Sequence, residues 1–247
     1  MTEQPSLMQP GRRVYGAPIG IAMMDRRFPR PVGDMGNASS FHCPVQYDIV
    51  HGVNGMPAMT VEQTSNLFQP LLDSCMRLVD QGVGAITTTC GYAALLQGRL
   101  AGSLPVPFAA SSLLQLASVL ATLPETARVA VLAARAGGLT RAHLEGAGVA
   151  AEALWRITIA DLQDAPAFRQ AILDAPGQAP LDVDRATQDV VALCRATIEH
   201  DPNIGAFVAE CANVGPYSEA IRQATGLPVW DGVTLVNSLY AGLPKTP

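Results

Sequence analysis

Two stretches of the sequence repeat one another. GAITTTCGY (84–92) and GAFVAECAN (205–213) each run from Gly-Ala through an apolar segment to a cysteine, Cys90 in the first and Cys211 in the second. Beyond each cysteine a helical stretch leads to Leu-Pro-Val, at 104–106 and 227–229, and the cysteine-to-proline distance is 15 residues in one copy and 17 in the other. Another apolar helical segment comes after each LPV, SSLLQLASVL and GVTLVNSLYAGL. Landmarks in one order at nearly one spacing predict two similar halves related by a pseudo-two-fold axis.

The rest of the chain alternates in the same way. GAPIGIAMM (16–24) reads as a first strand ending at Asp25, then comes the Pro/Gly-rich loop FPRPVGDMGNASSF (28–41) and a second strand, PVQYDIV (44–50). Residues 62–81 predict a helix with Leu67, Leu71, Cys75 and Leu78 on one stripe, kinked or broken by Pro70. GVGAITTT (82–89), RVAVLAA (128–134) and part of VAAEALWRITI (149–159) read as strands. Residues 161–185 read as irregular or short-helical, and 186–200 as an amphipathic helix. Strand, turn, helix and strand again predict an α/β protein with mainly parallel sheets.

Composition narrows the partners. A formal net charge of −5 argues against nucleic acid or an anionic membrane. RRFPR (26–30) is the local exception, either a solvated loop or an anion-binding one. The N-terminal stretch MTEQPSLMQPGRRVYG has no apolar core of a signal peptide. Leu100 to Pro124 carries no charge, but its prolines and polar residues make it a buried strand and helix rather than a membrane span. A soluble, cytoplasmic protein is expected.

The five cysteines form no CxxC pair and no zinc spacing, so reduced thiols and no metal site are expected. Cys75 and Cys194 fall on helical apolar stripes and read as core. Cys43 comes after His42 on an extended segment, where adjacent side chains point to opposite faces, so the two do not form a nucleophilic pair. Cys90 and Cys211 differ: each ends a hydrophobic strand at the carboxyl edge where parallel sheets bind ligands. One such cysteine reads as an ordinary buried thiol. Two at matching positions of a repeat point to chemistry. The helix N-terminus beyond each is expected to lower the thiol pKa from roughly 8.5 towards working pH.

Across a pseudo-dyad the two thiols would face each other over a cleft between the halves. One, as thiolate, would remove the proton α to a carboxylate, and the other would return a proton on the opposite face. Backbone N–H groups would hold the charge that develops on the carboxylate.

The two-cysteine repeat, the strand end IGIAMMD and the loop FPRPVGDMGNASSF together resemble the aspartate/glutamate/hydantoin racemase superfamily, over nearly the whole chain. The resemblance implies two α/β domains, each with a four-stranded parallel sheet flanked by helices, here 1–104 plus 228–247 and 105–227. It implies proton transfer by Cys90 and Cys211 without a cofactor, a small carboxylate as the partner, and a homodimer. Relatives carry Asn-Thr or Asn-Ser after the first cysteine and Thr after the second. This chain has Gly91-Tyr92 and Ala212 there, so the amino-acid clamp is altered. Asn37, Tyr92 and Asn213 are either the substitute polar contacts or loop-stabilising residues. Arg30 is either a contact for a distal carboxylate or a loop brace, and Asp25 either a substrate contact or a turn cap.

Three functions compete on this reading. The first is an amino-acid racemase or epimerase of the aspartate/glutamate type. The second is an arylmalonate-type decarboxylase or maleate-type cis–trans isomerase, and the third is a non-catalytic carboxylate-binding protein.

Overall fold

A computed structural model describes residues 15–16, 19–53, 60–174 and 177–244; the N-terminal stretch 1–14 lies outside them. Strands β1 (Ile19–Met24), β2 (Val45–Val50), β3 (Ala85–Thr88) and β4 (Phe108–Ala109) form one parallel sheet in the order β2-β1-β3-β4. Strands β5 (Arg128–Ala133), β6 (Ile157–Asp161), β7 (Ile204–Ala209) and β8 (Val229–Trp230) repeat it as β6-β5-β7-β8. The fold is α/β, with the four-stranded sheets anticipated.

The central strands are apolar along their whole length because helices cover both faces of a parallel sheet. Ile19, Ile21, Ile86, Val129, Val131, Phe207 and Val208 are all fully buried. One hydrophobic cluster joins Ala22, Ile86 and Leu96 of the first half to Val129, Val131 and Val208 of the second, so the halves share a core.

The helix expected over 62–81 is two helices, α1 (Val61–Asn66) and α2 (Phe68–Gln81), divided at Leu67. Pro70 lies in the first turn of α2, where a missing N–H leaves no bond unmade. Gly82 ends α2 at a φ of 91°, a left-handed conformation that glycine adopts without strain. After β3 the chain forms a 3-10 turn, Gly91–Leu96, and the short helix α3 (Gln97–Ala101). After β4 come a 3-10 turn at Ser112–Gln115 and helix α4 (Leu116–Thr122). The second half carries α5 (Arg141–Gly146), the single turn α6 (Pro166–Phe168) running into a π-turn, α7 (Val183–His200), α8 (Ser218–Thr225) and α9 (Gly232–Gly242).

The helices beyond the two LPV segments change sides. β4 completes the first sheet, yet α4 packs on β5 of the second. β8 completes the second sheet, and α9 packs back on β1 and β3. Thr234 in α9 donates its hydroxyl to the Gln115 side-chain oxygen, just before α4, at 3.0 Å.

A second junction is made by loop 28–41. Gly33, at φ 103°, lies so close to Pro216 that a Cβ there would overlap its backbone. Met35 fills the space beside Gly232. Among the described residues no helix is long and apolar enough to cross a membrane.

Candidate functional site

In both sheets the strand order reverses between the two central strands, β1 and β3 in one and β5 and β7 in the other. Crevices beyond the carboxyl ends of strands at such a reversal are where open parallel sheets bind ligands. Cys90 stands two residues beyond β3, and Cys211 two residues beyond β7.

The pseudo-symmetry extends to individual bonds. Ala22 pairs with Thr88 in the first sheet as Leu132 pairs with Ala209 in the second. The next residue on each strand, Thr89 or Glu210, donates its N–H to the carbonyl of Ala22 at 3.1 Å or of Leu132 at 3.0 Å. The side chain of each then accepts a backbone N–H at 2.9 Å, from Met24 to Thr89 Oγ1 and from Ala134 to Glu210 Oε2. A carboxylate in the second half thus does the work of a hydroxyl in the first.

Cys90 caps the 3-10 turn in an extended conformation, and its N–H donates to Thr88 Oγ1 at 3.0 Å. That hydroxyl in turn donates to the carbonyl of Ala110 at 2.7 Å. Both thiols are buried, Cys90 4% and Cys211 6% exposed.

Here the expected lowering of the thiol pKa is corrected. Burial pushes Cys90 up to about 12, and the nearby charge of Glu210 adds to it; the backbone N–H groups of Tyr92 and Ala93 and the charge of Arg26 pull the other way but do not prevail. Burial raises Cys211 too, again reinforced by Glu210, against the opposing N–H of Asn213. The turn after Cys90 is a 3-10 turn of six residues, and its few amides are a weak counterweight to desolvation.

Glu210 is the residue that sequence reasoning passed over. It is 2% exposed, and burial raises its carboxyl from an ordinary 4.5 to about 7. A Cβ on Gly91 would overlap its carboxylate, so Glu210 lies directly against the turn that begins at Cys90. The glycine that departs from the racemase pattern is therefore matched to this acid. A visible signal existed: a glutamate at the end of the apolar run GAFVAE, where Thr89 stands in the other copy.

Tyr92 is buried beside Cys90, Glu210 and Cys211, whose charges all bear on its phenol. Its hydroxyl donates to the carbonyl of Arg135 at 2.9 Å, and its ring stands edge-on to His143 at 5.7 Å. Asn213 reaches the other thiol, with Oδ1 3.6 Å from Cys211 Sγ and Nδ2 donating to Asp34 Oδ2 at 2.6 Å. Asp34, 1% exposed, also accepts from Gly36 N–H at 2.7 Å and pairs with Arg30 at 2.8 Å. Arg30 lies over the Phe28 ring at 4.4 Å. A chain of contacts thus runs Arg30, Asp34, Asn213, Cys211.

Of the remaining candidates, Asn37 and Ala212 are engaged within the frame. Both polar ends of Asn37 are used inside its loop, Nδ2 on the carbonyl of Arg30 at 2.9 Å and Oδ1 on the N–H of Ser39 at 3.0 Å. Ala212 packs with Ile19, Met35 and Ala85. Asp25 comes directly after β1, at the same carboxyl edge as Cys90. Cys43 joins the cluster of Ala212 while His42 is exposed, so they do face apart. Cys75 and Cys194 are fully buried core residues.

No protein-family profile matches the chain. Among solved structures it is similar to unliganded arylmalonate decarboxylase (17% identity, 91% of this chain and 93% of that one, TM-score 0.57). Allantoin racemase from Pseudomonas fluorescens is comparable (19%, 92% and 93%, TM-score 0.56). So is glutamate racemase from Francisella tularensis subsp. tularensis SCHU S4 (15%, 92% and 80%, TM-score 0.54). The chain shares its fold with these racemases and with the decarboxylase.

Sequence relatives are nearer. Dimethylsulfoniopropionate lyase 7 of Emiliania huxleyi (strain CCMP1516) is 30% identical over 236 residues, 93% of this chain and 68% of the relative. Dimethylsulfoniopropionate lyase of Durusdinium sp. clade D is 28% identical over 246 residues, 96% of this chain and 79% of the relative. The chain spans 60% of the length of dimethylsulfoniopropionate lyases 3 and 6 of Emiliania huxleyi. The chain belongs to the family of these lyases.

Proposed function

We propose that the protein is a lyase that eliminates dimethyl sulfide from dimethylsulfoniopropionate. The observation that carries the reading is the pair of buried thiols at equivalent strand ends, Cys90 and Cys211, on a chain of this family. Such a substrate is a small carboxylate with a leaving group on its β carbon. A thiolate takes the proton from the α carbon, and the C–H electron pair forms the carbon–carbon double bond. The C–S bond breaks with its pair going to sulfur, which neutralises the sulfonium. The products are dimethyl sulfide, acrylate and one proton.

The first step is the one a racemase would take, so the expectation from the sequence shares its chemistry up to the carbanion. The two reactions part at the second step, where a β substituent departs instead of a proton returning. Backbone N–H groups of Tyr92, Ala93 and Asn213 already face the thiols and are suited to hold negative charge. Both thiols lie above the usual range in the ligand-free site. A bound sulfonium offers the positive charge that brings a thiolate within reach.

Racemisation is the second reading, favoured by the equivalence of the two thiols, since one base does not need a twin to eliminate. Incubation with dimethylsulfoniopropionate, with headspace analysis and proton NMR, separates the two. Equal amounts of dimethyl sulfide and acrylate are expected. No release of sulfide, with solvent deuterium entering the α carbon of both enantiomers of an acidic amino acid, would replace elimination by racemisation.

A further inference from the structure

We propose that Glu210 is the counter-charge for the substrate's cationic group, and that it selects an onium centre, one with a fixed positive charge and no N–H to donate. The proposal rests on the lyase reading and names the group that recognises its substrate.

Among the described residues, other carboxylates with little exposure have an arginine or a hydrogen bond on each oxygen: Asp34 pairs with Arg30, Asp48 with Arg77 and Asp201 with Arg128, and Asp231 accepts from Ser218 Oγ and the Thr234 N–H. Glu210 is as buried as Asp34 and has no cationic side chain against it among the described residues. Its one side-chain hydrogen bond is to Oε2, from the N–H of Ala134 at 2.9 Å; Oε1 has none and lies against Gly91. An ionised carboxylate without a counter-ion in a dry site is costly unless a charge arrives to match it. The equivalent position in the other half, Thr89, makes the same backbone bond with a neutral hydroxyl. The bond alone therefore does not call for an acid.

The groups that face Glu210 are Cys90 and Tyr92 from the turn after β3, Cys211 on its own segment, and the Ala134 amide from the end of β5. Arg26 bears on Cys90, and Arg30 and Asp34, which pair with each other, bear on Cys211. Acceptors for an ammonium group are few. Gly91 and Ala212 bring no polar side chain, the Asn213 amide is used by Asp34 and Cys211, and the Tyr92 hydroxyl is used by Arg135. An onium centre needs only a nearby charge and a ring face, and the Tyr92 ring is beside the same carboxylate.

The test uses calorimetric binding of two carboxylate probes of one shape, 3-(trimethylammonio)propanoate with a cationic head group and 4,4-dimethylpentanoate with an uncharged one. At about pH 8 the wild-type protein should prefer the cation by at least about tenfold, and Glu210→Gln should lose that preference to within about twofold. If Glu210→Gln does not fold, the wild-type series decides: the preference should shrink as pH falls from about 8 to about 6 and the carboxyl takes its proton. A preference that survives in the variant, that is constant across this range, or that is absent from the wild type overturns the proposal. Its failure is separable from that of the lyase reading. Sulfide release with no role for Glu210 in binding removes only this inference. A Glu210-dependent preference without sulfide release leaves the cation site standing and removes the reaction.

Discussion

The carboxylate of Glu210 occupies the space that a side chain on Gly91 would need. The two residues lie 119 positions apart in sequence, one in each half of the pseudo-repeat, and they fit only as a pair. Gly91→Ala should destabilise the protein by about 1–3 kcal/mol through overpacking, measured by urea unfolding. Combining it with Glu210→Thr, which copies Thr89, should recover only part of that loss, because the backbone carbonyl of Glu210 also stands where the new Cβ would go. Additive losses in the double variant would show that the contact is not the cause.

The thiols divide into two classes by what their loss should do. Cys90→Ser and Cys211→Ser each remove the candidate proton carrier and should lower the rate of sulfide release by at least about a hundredfold. Cys75→Ala and Cys194→Ala, in the cores of α2 and α7, should lower stability while kcat stays near that of the wild type. Headspace rates beside unfolding midpoints check both.

Alkylation reads the electrostatics directly. With both site thiols held above the ordinary range, iodoacetamide should label Cys90 and Cys211 slowly at about pH 8 in the free protein. Glu210→Gln removes the charge that opposes both thiolates, so labelling of Cys90 and Cys211 should speed up. Peptide mass spectrometry tracks each site separately.

Glu210 also makes stability depend on pH in a stated direction. Its carboxyl binds a proton more tightly folded, at about 7, than unfolded, near 4.5. The folded state therefore holds the extra proton between these values, and stability falls as pH rises through the window, by on the order of 3 kcal/mol. The difference in unfolding free energy between Glu210→Gln and the wild type should grow over that window and be flat above it. Urea titrations at a series of pH values measure the slope.

Asp34 is the anchor of the chain that ends at Cys211. Asp34→Ala strands the nearly buried Arg30 and releases Asn213, and should cost about 3–5 kcal/mol. Asn213→Ala removes one hydrogen bond to Asp34 but leaves the Arg30–Asp34 pair in place, so it should cost less stability, and it should also lower the rate because Asn213 touches the Cys211 thiol. Unfolding midpoints and headspace rates of the two variants make the comparison.

Much of the frame can be read from the chain. Strands such as RVAVLA and IGAFVA are buried on both faces, which writes them as unbroken apolar runs, and the repeat around Cys90 and Cys211 places both thiols at matching strand ends. The boundary inside 62–81 is less legible, because Leu67 continues the apolar stripe across the break between α1 and α2. The site is legible only in part. Glu210 is one acidic letter after an apolar run, and its meaning depends on Ala134 and Gly91, each brought to it by the tertiary fold. The thiol pKa values are hidden for a related reason: a helix start is visible in sequence, but the burial that outweighs it is not. Nor does the chain spell out a leaving group. The relatives' names supply the sulfonium.

The exchange of covering helices has a consequence for biosynthesis. Of the described strands, β1 leaves the ribosome before the others, and it is covered on one face by α9, the last helix described. The first sheet therefore stays open on that face until α9 is made, while α4 is available to the second sheet before β5 is made. The second half can close around its own strands as they emerge. The first half must wait for α9, and Cys90 with it, so a truncated or stalled chain exposes the apolar face of β1 and β3 to whatever chaperone is at hand.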